Sequence, residues 1–233
     1  MSFLIYILTQ ILYIILEQYI KFKIANVILI TIFILQTIIL HKLFIKTQPS
    51  NIRSGNFTIK LYISLAIVGS FLLAEIGFLR FISPGLFNTK MTFNNLGSLF
   101  FATIFFPIYE ELITRGMILN MLNKRFSFPV ANVFQAIIFS ILHFSLHMIL
   151  LYFVFGLILG IVKKNLNIYY CILIHVLINM CVFLLSTQIV NLHLPNIPDY
   201  FFLIIGFIFL IVTLYVTLNI NKFIDKCSGL NQE

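Results

Sequence analysis

Charge is what this chain has least of. Only seven of its 233 residues are Asp or Glu, and charged residues of both signs make up 9%. A soluble domain ordinarily runs near a quarter charged, so that class is excluded by composition. Cysteine is sparse too. Cys171, Cys181 and Cys227 form an odd set without metal-ligand spacing, and the first two share one apolar run, where small buried thiols are ordinary. The apolar start lacks a basic n-region and a small-residue cleavage site, so it reads as a span and not as a signal peptide. No internal repeat or low-complexity segment stands out, although heavy use of Ile, Phe, Leu, Asn and Lys suggests an AT-rich bacterial genome.

What is present is apolar surface in long blocks. Hydrophobic residues make up 61% of the chain, and the mean hydropathy is +1.08. A bilayer offers no hydrogen bonds to the backbone, so such blocks must close their own as helices. Barrel strands would alternate apolar with polar, and these runs do not. Apolar segments at about 3–20, 24–41, 61–79, 96–122, 129–145, 148–162, 168–186 and 200–221 predict an all-α fold, a polytopic membrane helical bundle of about eight transmembrane helices. They form one domain over 1–233, with helices of no recognised motif in 1–90. Pro107 predicts a kink within 96–122, and Ser145, Leu146 and His147 are the only pause between two of the spans.

Basic residues in short loops set the orientation. Lys42, Lys46, Arg53, Lys60, Lys124, Arg125, Lys163, Lys164, Lys222 and Lys226 fall on the side of the termini, against Lys21, Lys23, Arg80 and Lys90 on the other. That bias puts both termini in the cytoplasm and assigns most of the +8 formal charge to topology and anionic lipid. No basic patch lies outside these loops, so nucleic acid is a poor partner and the lipid bilayer a good one.

Against this background the polar residues inside spans are informative, because an ionisable group at membrane depth marks a functional site by default. Glu110 and Glu111 are adjacent in the 96–122 segment, with Arg115 four residues after the second. Glu111 and Arg115 share one helical face and can pair. Glu110 points about 100° away from Glu111 and is left without that partner, free to act as a base. The bland reading is a charge cluster that only fixes helix packing. His143 ends the 129–145 span, and His175 and Asn179 project from one face of the 168–186 span. Either histidine alone reads more simply as a packing residue or helix-to-helix hydrogen bonder. Together, the glutamates, two histidines and an amide supply a base, ligands or proton relays, and an oxyanion donor, the parts of a hydrolase site.

Glu110-Glu111-x-x-x-Arg115, Phe139-x-x-x-His143 and His175-x-x-x-Asn179, in that order and each in a predicted span, resemble the three motifs of the CPBP family of intramembrane endopeptidases. That family includes the type II CAAX prenyl proteases and the bacteriocin-processing or immunity (Abi) proteins. The resemblance covers roughly residues 95–190. It implies that Glu110, with His143, activates water against a peptide carbonyl. His175 and Asn179 would hold the oxyanion or orient the water, and Arg115 would fix Glu111. The implied activity is that of an intramembrane protease with a peptide substrate, such as a bacteriocin, pheromone or CAAX-like tail.

Whether a metal takes part stays open at this stage. Glu110, His143 and His175 form a sensible Zn²⁺ set, and the same residues support a metal-free hydrolysis with Asn179 stabilising the tetrahedral intermediate. No HExxH helix is present. His147, one turn past His143, is a departure from the pattern and offers a second possible pair of metal ligands. The rival from another class is a non-enzymatic membrane protein of the same fold, serving bacteriocin self-immunity or regulation. A transporter would need repeated halves with paired broken helices, and the chain shows one proline break and no repeat.

Overall fold

The computed structural model describes residue 35 and residues 57–82, 100–143, 145–189 and 198–229. The spans expected at 3–20 and, apart from Leu35, at 24–41 lie outside the described residues, as do Lys21, Lys23, Lys42, Lys46, Arg53 and Lys90. Residues 57–229 fall in one compact unit, Ser50–Glu233. Among the described residues the protein is all-helical. Seven helices follow in order: α1 (Phe57–Ile82), α2 (residues 101–123), α3 (Phe128–Leu142), α4 (Ile149–Asn165), α5 (Ile168–Ile189), α6 (Asp199–Leu218) and α7 (Ile220–Gly229).

Two of these, Phe57–Ile82 and Tyr200–Leu218, are long and apolar enough to cross a membrane by length and composition. Phe128–Leu142 and Ile168–Leu184 are apolar but shorter. Local chemistry sets the ends. The pause at 145–148 separates α3 from α4, and Pro129 sits in the first turn of α3, where its missing N–H is not needed. Asn167 starts α5 by accepting from the N–H of Tyr169 and Tyr170 (2.9 and 3.2 Å). The final span stops at Leu218, and the separate helix α7 buries Ile220 and Ile224 while exposing Lys222 and Lys226.

Small residues let the helices close on one another. A Cβ at Gly77 of α1 would lie 2.5 Å from the Phe202 carbonyl oxygen and 2.7 Å from Gly206 Cα of α6. The same pair is tied by Thr213 donating to Ser70 at 2.9 Å. A Cβ at Gly156 of α4 would lie 2.9 Å from Ala136 of α3, so those two backbones also run close. Between α1 and α4, Phe71 stacks on Phe155 with ring centroids 4.5 Å apart.

The break expected at Pro107 takes the form of widened turns within one continuous helix. Residues Phe101–Phe105 and Leu112–Ile118 of α2 are π-helical, flanking an α-helical stretch, Phe106–Glu111, whose second residue is the proline. Such turns recur at functional sites.

Candidate active site

The π turn explains where one polar residue goes. Phe106 N–H bonds to the Phe101 carbonyl, five residues back. In that register the next donor would meet the Ala102 carbonyl, but the next residue is Pro107, which has no N–H. The orphaned carbonyl is taken from another helix: Asn179 Nδ2 donates to Ala102 O at 3.4 Å. The asparagine expected to serve an oxyanion therefore also ties α5 to α2.

One helical turn further along α2 lies the charged cluster. Arg115 Nη1 donates to Glu111 Oε1 at 2.7 Å, and both side chains are fully buried. The guanidinium is satisfied on several sides. It donates to Thr114 Oγ1 (2.8 Å) and, through Nη2, to the Gly156 carbonyl (3.2 Å), and it lies over the Phe139 ring at 4.2 Å. The Gly156 carbonyl also accepts from Gln135 Nε2 at 2.8 Å. Gln135 in turn bonds Asn132 Oδ1 (2.8 Å), and Asn132 Nδ2 donates to the Leu157 carbonyl (3.1 Å). Lys163 reaches back from the end of α4 to the Arg115 carbonyl (2.6 Å) and to Asn120 Oδ1. The second π turn is thus held from outside by α3 and α4.

Glu111 Oε1 carries a second partner, His175 Nδ1, at 2.8 Å. A carboxylate already bound to an arginine accepts, so Nδ1 carries a proton, and in the neutral ring Nε2 keeps its lone pair. His143 repeats the pattern from just beyond α3. Its Nδ1 lies 2.8 Å from the Phe139 carbonyl, which can only accept, so its Nε2 is also left with a lone pair. Both free nitrogens face the same atom: His175 Nε2 is 3.7 Å and His143 Nε2 3.8 Å from Glu110 Oε2. One ligand atom from each of the three residues falls within 4.8 Å of the others. Two neutral imidazole nitrogens and one carboxylate oxygen are a donor set that suits a divalent cation such as Zn²⁺. Glu110 and His143 are partly accessible (25% and 21% of their side chains), whereas His175 is 3% exposed. The cluster therefore opens on the Glu110–His143 side.

Rings set the imidazoles. Phe155 meets the His175 ring edge-on at 5.2 Å. Tyr152 stacks on the His143 ring with centroids 4.2 Å apart and planes 29° from parallel. His147 is exposed, on the turn leading to α4, and does not join the cluster with Glu110, His143 and His175. The motifs did not point to Asn132, Gln135, Tyr152 or Lys163. Two amides three residues apart in an otherwise apolar span were a signal for the first two, since each needs a partner inside the protein.

Residues 92–181 match the family model described as Type II CAAX prenyl endopeptidase Rce1-like. No curated protein and no solved structure matches the chain. This segment contains Glu110, Glu111, Arg115, His143, His175 and Asn179, and through it the chain is similar to the type II CAAX prenyl endopeptidases.

Proposed function

We propose that this protein is an intramembrane endopeptidase acting on a small peptide or membrane-associated precursor of the bacteriocin, pheromone or CAAX-tail kind. It sits in a bacterial plasma membrane as a multi-pass bundle with both termini cytoplasmic, as the loop charges indicate. The observation that carries the reading is the shared aim of the two imidazoles. Each has its Nδ1 committed to an acceptor, and each turns Nε2 towards Glu110 Oε2.

Separations of 3.7 and 3.8 Å are too long for direct hydrogen bonds and leave room for one shared polar guest. With water there, Glu110 takes a proton as the oxygen bonds to the peptide carbonyl carbon. It then returns that proton to the leaving nitrogen as the C–N bond breaks. Glu111 holds His175 in the tautomer that presents Nε2, and Arg115 neutralises Glu111. The Asn179 bond to Ala102 is long at 3.4 Å, and a developing oxyanion one turn from His175 outcompetes it for the amide. Glu110, His143 and His175 would hold a divalent cation, which supplies Lewis acidity towards water and carbonyl.

The test is complementation of a deletion strain with Glu110→Gln and Asn179→Ala, scored for precursor processing and for survival against a peptide toxin. A protease loses both readouts in both variants. Full rescue of both readouts by both variants refutes the protease and leaves an immunity factor, which needs only its fold.

A further inference from the structure

A third carboxylate stands near the site. Glu75 lies on α1, outside the segment that carries the motifs, and is 8% exposed. Its Oε2 has no hydrogen-bond partner among the described residues. A carboxyl buried with an unmet oxygen is costly, and a membrane bundle retains one where it has work to do. The guanidinium of Arg80, five residues on, lies over the Phe202 ring at 5.5 Å.

The register of α1 against α4 says where Glu75 points. Phe71 stacks on Phe155 at 4.5 Å, and Phe155 meets the His175 ring at 5.2 Å. One turn on from Phe71 along α1 is Glu75, and one turn back from Phe155 along α4 is Tyr152, so the two stand at the same level beside the Phe71–Phe155 stack. Tyr152 accordingly lies within electrostatic reach of both Glu75 and Glu110. Its ring is the one stacked on His143 at 4.2 Å.

We propose that Glu75 is a positioning residue of the site, acting through the hydroxyl of Tyr152 to hold the stacked ring of His143 and so the aim of its Nε2 at Glu110. The links the structure gives are the Tyr152 ring on His143 at 4.2 Å and His143 Nε2 at 3.8 Å from Glu110; the link from Glu75 to the Tyr152 hydroxyl is the proposed one. It rests on the protease reading for its purpose, but the placement of His143 can be measured without any cleavage.

The experiment uses the full-length protein in detergent with selectively labelled histidine, comparing wild type, Glu75→Gln, Tyr152→Phe and the double variant. The His143 ring resonances should move in both single variants while those of His175 stay in place. Cleavage should fall about tenfold in kcat with KM unchanged, and the double variant should be no worse than either single one, because both break the same link. Glu75→Leu should unfold at a higher temperature than wild type while losing the same activity, since it removes an unsatisfied buried carboxyl. A structural role would lower stability and activity together. His143 resonances unchanged in Glu75→Gln, or effects that multiply in the double variant, overturn the proposal. If the resonances move but wild type cleaves nothing, the positioning stands and the protease reading falls.

Discussion

Removing the Arg115 side chain is the most demanding test of how the site is built. Arg115→Ala deletes the bonds to Glu111, Thr114 and the Gly156 carbonyl and the contact with the Phe139 ring. Breaking a buried ion pair from one side costs about 3–5 kcal/mol, because the remaining charge is stranded. A desolvated cation–π contact adds about 2 kcal/mol. The terms overlap, so a loss of about 5 kcal/mol is expected, against a total stability of roughly 5–15 kcal/mol for folded domains. Arg115→Ala should therefore fold poorly at best. Arg115→Lys restores a charge beside Glu111 but cannot also fork to Thr114 and Gly156, and should recover about half the loss. The decisive comparison is Glu111→Leu with Arg115→Met, which removes both charges and keeps the volume. It should unfold near wild type, as apolar replacement of a whole buried pair often does. It should also be inactive, because His175 then lacks the acceptor for Nδ1. The chain has no tryptophan, so unfolding is followed by circular dichroism in mixed micelles titrated with sodium dodecyl sulfate. An Arg115→Ala protein that unfolds at the wild-type midpoint would refute the reasoning, and so would a double variant weaker than the single one.

Glu110→Gln keeps shape but cannot take a proton, so kcat should fall by about 10²–10⁴ with the unfolding midpoint unchanged; retained cleavage would remove Glu110 as the base. A chelator should abolish cleavage by the purified protein and added Zn²⁺ restore it, with unaltered cleavage favouring hydrolysis by Glu110 without a metal. Gly77→Ala puts a methyl against the Phe202 carbonyl and Gly206, and should destabilise by about 1–3 kcal/mol; Gly69→Ala on the same helix meets nothing within 4 Å and is the control.

The parts of the site that sequence could reveal were those whose spacing carries the geometry. The four-residue steps from Glu111 to Arg115 and from His175 to Asn179 placed each pair on one face, and the structure pairs the first at 2.7 Å. The pause at Ser145–His147 likewise read as a break between helices, and α3 and α4 are separate there. The rest depended on contacts far apart in the chain. Asn179 meets the Ala102 carbonyl only because a π turn and a proline combine to free it. A π turn leaves little mark in an apolar run. Glu75 was a single acid in a long span, with no motif partner within a turn. Its relevance follows from the α1–α4 register, which no local pattern encodes. The helix α7 escaped the span count because half of its residues are polar, although Ile220 and Ile224 anchor it to the core.

The double acceptor at Gly156 has a further consequence for how this site can be read from variants. Arg115 and Gln135, from two other helices, converge on an oxygen that belongs to the main chain of α4. No codon change deletes a carbonyl. A mutational scan would therefore register position 156 only as a demand for smallness, since any larger side chain runs into Ala136. The acceptor itself would stay silent. The vertex that joins three helices around the arginine is thus invisible to genetics, and chemical replacement of that peptide bond, by an ester or a thioamide, is what exposes it.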